Sequence, residues 1–166
     1  DPLGAKAAAQ ARAARISNPA WIRQPDNARQ KVRLGDYLLI NDKIAVYIES
    51  AGNSDGYQSL GGDILSIEPV LPDGKPSGTS QYGESLVVFS RQAVGPESLS
   101  VINDGSDGKD AIVRVSGRLR DVPYLESFAG LLGPSLDFPA AIDYVLSPGA
   151  ERVNWIQSSR SRSRRT

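Results

Sequence analysis

The sequence predicts an all-β protein, an antiparallel β-sandwich with a short N-terminal helix, and three observations carry that reading. Short runs in which apolar and polar residues alternate with period two recur along the chain. Clusters of Gly, Pro, Asn and Asp separate them. Only one segment, Ala5 to Ile16, has a strongly helical composition.

That segment, AKAAAQARAARI, has the highest helix propensity in the chain but no broad apolar stripe, so a frayed helix ended by Asn18-Pro19 is expected. An irregular lead-in follows, its Trp21 expected to tuck against a sheet. Tyr37 to Ile40 and Ile44 to Glu49 then read as a hairpin closed by Asn41-Asp42-Lys43, residue types that tolerate left-handed backbone. Ile44, Val46 and Ile48 fall on one face of the second strand and Ala45, Tyr47 and Glu49 on the other, which predicts one buried face.

After the loop 52–57 and Gly61-Gly62, Ile64 to Val70 reads as a strand, and 72–78 as a surface turn. Glu84 to Ser90 is apolar enough for a central strand. Ser98 to Asn103 and Asp110 to Arg120 alternate, the second with arginines on its solvent face. A Pro/Gly-rich stretch, 123–139, interrupts the pattern before two last apolar runs, Ala141 to Leu146 and Val153 to Gln157. The domain reading is a helix and lead-in over 1–30, a sandwich over 31–157, and a disordered Arg/Ser tail over 158–166.

The 166 residues suit one domain with its own core. No apolar run reaches the ~20 residues of a membrane-spanning helix. There is no Cys, hence no disulfide or thiolate chemistry, and no His, the commonest general base and zinc ligand. With no Met, the numbering is expected to begin at a processed or trimmed end, as after removal of an export signal. The net charge of zero hides a segregation. Residues 1–36 carry seven basic and three acidic side chains, and the tail 157–166 four arginines. The body 37–156 holds eight basic residues against sixteen acidic ones. Such an acidic body does not fit a nucleic-acid-binding face.

Four groups of residues could carry chemistry. Asn103, Asp104, Asp107 and Asp110 crowd oxygen-bearing side chains into one loop and could hold Ca²⁺. The EF-hand spacing fails, because position three falls on Gly105 and position twelve on Arg114; two Asp/Gly turns joining adjacent strands explain the loop without an ion. Glu49, Asp55, Asp63, Glu68 and Glu84 could supply an acid–base pair for glycoside cleavage, or be solvated surface. Asn53, Asp55, Tyr57 and Tyr82 place aromatics beside hydrogen-bonding groups, a platform for sugar, though large aromatics in sandwiches also serve as core. The tail's clustered arginines could attract phosphate, without aromatic support. No phosphate loop, dinucleotide fingerprint or nucleophile elbow is present.

The segments GDYLLINDKIAVYIE, SDGYQSLGGDILSIEPV, SLSVINDGSDGKDAIVRVSG and IDYVLSPGAERV, taken together, resemble the N-terminal β-sandwich region of large secreted or lipid-anchored proteins of predatory and social Gram-negative bacteria. The resemblance covers about residues 32–156 as a pattern of strands and turns. More loosely, the architecture is similar to the supersandwich domains of sugar mutarotases and polysaccharide lyases. The resemblance implies export, a cell-surface or extracellular setting and a sandwich that is incomplete here; it implies no catalytic residue. The function expected first is a non-catalytic module that binds glycan or mediates protein contacts at a surface. A lobe or remnant of a carbohydrate-active enzyme and a structural subunit with basic arms are the alternatives.

Overall fold

The computed structural model describes residues 1–52, 54–56 and 58–159. Two antiparallel sheets form a sandwich. The first contains β1 (Ala11–Arg15), β2 (Tyr37–Asn41), β3 (Ile44–Ile48) and β4 (Ile64–Pro69), in that spatial order. The second is a meander of β5 (Val88–Phe89), β6 (Gln92–Asn103), β7 (Ala111–Asp121), β8 (Pro139–Leu146) and β9 (Asn154–Ser159). The interrupted stretch before β8 holds a 3₁₀ segment, Pro123–Phe128, and one turn of α-helix, α1 (Ala129–Leu132).

The hairpin forms as its alternation requires, with Tyr37 opposite Ile48 and Ile40 opposite Ala45. Its reversal works differently from the expectation. No residue at 41–43 takes a positive φ. Instead the buried Asn41 side chain replaces backbone pairing: its Oδ1 accepts from the Lys43 and Ile44 amides at 2.8 and 2.9 Å. Its Nδ2 donates to Ser147 O and Ala150 O at 2.9 and 2.8 Å, tying the turn to the loop between β8 and β9.

The main core lies between the sheets, where Tyr37, Leu39, Val46 and Ile48 meet Val113, Val115, Ile142 and Tyr144. The opposite face of the first sheet was expected to meet solvent, yet it is buried too. Leu38, Ile40, Ala45, Tyr47 and Leu65 pack under Ala5, Ile16 and Val32, with Trp21 and Ile22 against them. The lead-in folds back over this face because Tyr47 pins it. The Tyr47 hydroxyl donates to Trp21 O at 2.7 Å and accepts from Arg23 N at 3.1 Å, and burial pushes its pKa up to about 12. A sheet covered on both faces needs apolar residues in succession, as YLLI and IAVYI supply.

The N-terminal helix is not formed over Ala5 to Ile16. A 3₁₀ turn occupies Pro2–Gly4, and Ala11–Arg15 is a strand paired with β2, Ala11 opposite Asn41 and Arg15 opposite Tyr37. An isolated helix of this length is marginal in water. As a strand the segment buries Ala11 and Ala13 between the sheets, and Ala13 N donates to Asp104 O at 3.1 Å. The first sheet therefore begins at residue 11, earlier than the expected boundary at 31.

Glu84 to Ser90 is not a central strand. Ser85 pairs with Ile64 at the edge of the first sheet, while Val88 and Phe89 pair with β6 at the edge of the second, where both are exposed. The segment crosses from sheet to sheet, so it belongs to neither interior. Strand β9, expected to begin like a core strand, is the other edge of the second sheet, with Trp155 54% and Ile156 60% exposed. Ser158 and Ser159 extend β9, while 160–166, where a disordered tail was expected, lie outside the described residues. The outer face of β7 carries arginines as expected: Arg114 makes a bidentate pair with Asp143, both contacts 2.6 Å. Among the described residues, no helix is long and apolar enough to cross a membrane.

Candidate functional site

One end of the sandwich gathers acidic side chains that are far apart in sequence, and backbone pairing explains how. The connection from β3 to β4 doubles back at Gly61-Gly62, both with positive φ, and a Cβ at Gly61 would overlap Ser50 O. That reversal sets Glu49 N donating to Asp63 O at 2.9 Å and Gly62 N donating to Glu49 O at 3.2 Å. The Ile64–Ser85 pairing, at 3.3 and 3.4 Å, then brings Glu84 alongside Asp63. Asp36, at the start of β2, accepts from Arg33 N at 2.7 Å and Ser50 N at 2.9 Å. Four carboxyl groups from four segments thus share one region.

Two of them are held away from the usual carboxylate range. Asp63 is pushed up to about 8, chiefly by burial and then by the charges of Glu84 and Glu49. Glu49 is pushed up to about 7 by burial, opposed by a hydrogen bond from Ser54, with the charges of Asp36 and Glu84 adding to the rise. A buried carboxyl among like charges keeps its proton.

Against this cluster lies a cleft of about 270 Å³ lined by Arg29, Gln30, Asp55, Gly56, Gly83 and Glu84. Gly56 leaves room for the ends of Gln30 and Glu84, since a Cβ there would overlap Gln30 Nε2 and Glu84 Oε1 unless those side chains shifted. Glu84 Oε1 accepts from Gln58 N at 3.0 Å. Asp55 pairs with Arg33 at the exposed rim. Buried polar atoms in and behind the cleft wall lack hydrogen-bond partners among the described residues: Gln30 Oε1, both carboxamide atoms of Gln58, and Asp63 Oδ2. Buried polar atoms are rarely left so.

Of the residues expected to bind sugar, Asp55 lines the cleft. Tyr82 does not line it; the side chain packs against the core between the sheets, though its neighbours Gly83 and Glu84 form one wall. Asn53 and Tyr57 lie outside the described residues. Among the five carboxylates considered for acid–base chemistry, Glu49, Asp63 and Glu84 come together, with Asp55 across the cleft. Glu68 is elsewhere, wholly buried beneath the turn 77–80. Sequence reasoning missed Arg29, Gln30 and Gln58. They stand in irregular segments with no periodicity, so only their placement identifies them.

The loop of Asn103, Asp104, Asp107 and Asp110 joins the paired strands β6 and β7. Its side-chain oxygens face their own backbone: Asn103 Oδ1 accepts from Gly105 N, Asp104 Oδ1 from Ser106 N, and Asp107 Oδ1 from Lys109 N, at 2.9–3.0 Å. Asp110 leads into β7. Among the described residues no three acidic side chains form a group that could hold a metal ion.

Compared with protein-family models, curated proteins and solved structures, the chain matches none.

Proposed function

We propose that this chain is an exported, non-catalytic β-sandwich module whose cleft beside Asp55 and Glu84 binds a glycan at a cell surface. The observation that carries the reading is the cleft wall itself. A concave site of sugar-ring scale brings together a guanidinium, a carboxamide and two carboxylates, the groups that hydrogen-bond hydroxyls. One wall atom, Gln30 Oε1, is buried without a partner among the described residues. Binding is favoured over cleavage by placement. Asp63 and Glu49, the carboxyls that burial pushes up to about 8 and about 7, lie behind the wall and do not line the cleft. A general acid must reach the bond that it protonates.

A glycan array followed by titration calorimetry tests the reading. The wild type should bind at least one oligosaccharide class, and Gln30→Ala should weaken it about tenfold, the cost of one well-placed hydrogen bond. Equal affinity in wild type and a folded Gln30→Ala variant overturns it.

A second reading, protein contact by strand addition, is favoured by β9. Its sequence, NWIQSS, lines an open sheet edge with exposed Trp155 and Ile156 and no charge or proline to blunt it. Light scattering that gives a monomer at every concentration, with no partner peptide bound in a strand-peptide screen, removes this reading.

A further inference from the structure

We propose that the partner of the β9 edge is a second copy of this chain. Its own β9 adds antiparallel about a two-fold axis through Ile156, so that two five-stranded sheets join into one continuous sheet. The inference rests on the strand-addition reading above and names its partner.

The sheet edges are not equally open. The free side of β1 is covered by the loop between β6 and β7, with Ala13 N donating to Asp104 O at 3.1 Å and Arg12 donating to Gly105 O. The free side of β4 meets Ser85 through Ile64 and ends at Pro69, whose carbonyl accepts from Ser77 N at 2.8 Å. Strand β5 is two residues long. Covered or very short edges resist a further strand. Strand β9 is six residues long, and among the described residues it makes no backbone hydrogen bond outside its pairing with β8. Every second residue of such an edge points an N–H and a C=O outward, half a ladder that another strand completes.

Self-complementarity selects the occupant. Asn154–Ser159 carries no ionisable side chain, so two copies meet without like-charge repulsion. Trp155 lies opposite Tyr144, on the inner face of the sheet, and Ile156 lies opposite Asp143, on the outer face. A strand that alternates apolar and polar residues matches one of these faces. A copy of β9 offers an apolar side chain to both.

Symmetry then fixes the register. A two-fold axis relating antiparallel neighbours stands perpendicular to the sheet and leaves its faces unchanged, so it passes through one residue and its copy. Centring on Ile156 overlaps Asn154 to Ser158 and sets Ile156 against itself and Trp155 against Gln157 of the second copy. Centring on Trp155 shortens the overlap, and centring on Gln157 sets Ile156 against Ser158.

The test is light scattering of the whole chain from about 5 to 500 µM, since a contact through one strand lies at the small, weak end of specific interfaces. The mass should rise from monomer to dimer across this range. Ile156→Lys and Ile156→Glu each place like charges opposite one another and should weaken the dimer at least about tenfold, while their equimolar mixture should recover it. The chain has no cysteine, so Ile156→Cys introduces a single thiol, its Cα about 4.5–5.5 Å from that of its copy and within disulfide reach. Mild oxidation should cross-link it at least about tenfold faster than Ser100→Cys, exposed on β6 at a distance from β9. This arm keeps the test intact if a charged variant unfolds.

Monomer at every concentration overturns this inference. A peptide bound in the strand-peptide screen then leaves the strand-addition reading standing, and no bound peptide overturns both. A dimer that neither folded charge variant weakens, a mixture no tighter than either variant alone, or equal cross-linking of the two cysteine variants also overturns it.

Discussion

Glu68 and Asp63 are buried carboxyl groups on the same stretch of chain, five residues apart, and the fold treats them in opposite ways. Glu68 is wholly buried and fully engaged. Its Oε1 accepts from Ser66 Oγ at 2.9 Å, and its Oε2 accepts from Ser77 Oγ, Thr79 N and Ser80 N at 2.8–3.1 Å. It acts as a clamp, closing the turn 77–80 onto β4. Asp63, 5% exposed, has no partner for Oδ2 among the described residues and has acidic neighbours in Glu49 and Glu84. The contrast teaches that burial alone does not assign a role. A carboxyl group surrounded by donors closes a turn onto the sheet, whereas one buried among acidic neighbours keeps its proton.

Among single substitutions, removing the clamp gives the largest expected effect on this comparison. Glu68→Ala removes the acceptor of two hydroxyls and two backbone amides, of which Ser77 Oγ and Thr79 N keep a second partner, and urea denaturation should show a loss of about 3 kcal/mol. A loss under about 1 kcal/mol would make Glu68 no better used than Asp63, and the contrast would fail.

The next effect is the pH dependence that Asp63 and its neighbour Glu49 bring. Asp63 and Glu49 have folded-state values raised to about 8 and about 7, so the folded chain keeps protons that the unfolded chain gives up. Their contribution is complete below the ordinary carboxyl range, near pH 4, and declines as pH rises. It is gone once pH passes about 8. Between pH 5 and 8.5 the wild type should lose about 6 kcal/mol of unfolding free energy, about two thirds of it from Asp63. Asp63→Asn should flatten that slope and, at pH 5, change stability by no more than about 1 kcal/mol, since an amide replaces a neutral acid of the same shape. A slope unaltered in Asp63→Asn would show that the titrating group lies elsewhere.

Much of the fold is legible in the residues. Ile44 to Ile48 and Ala111 to Leu119 announce strands through period-two alternation, and both form where expected. Gly61-Gly62 marks a tight reversal that the backbone uses. The failures have a shared cause. At Ala11–Arg15 helix propensity, a fraction of a kcal/mol per residue, yields to an unpaired edge of β2 and to a space between sheets that alanines fill. At Glu84–Ser90 apolar character suggested a centre, but residues 85 and 88 pair with different sheets. Each outcome depends on a neighbour that arrives from far along the chain.

The candidate site is less legible for the same reason. Asp55 is visible as a polar loop residue, and the acids Glu49, Asp63 and Glu84 are visible as a suspect set without a shared position. Gln30 and Gln58 carry no local signal, and Gln30 meets Glu84 only because the lead-in folds over the first sheet.

By itself the sequence determined the all-β class, the two strands of the β2–β3 hairpin and the arginine face of β7, because alternation acts within a few residues. Tertiary structure alone decided that the first sheet is buried on both faces, that the alanine-rich segment is a strand, and that Glu68 is satisfied while Asp63 is not. Those outcomes turn on burial and hydrogen-bond partners supplied across the fold, which free energy weighs only once the chain has closed on itself.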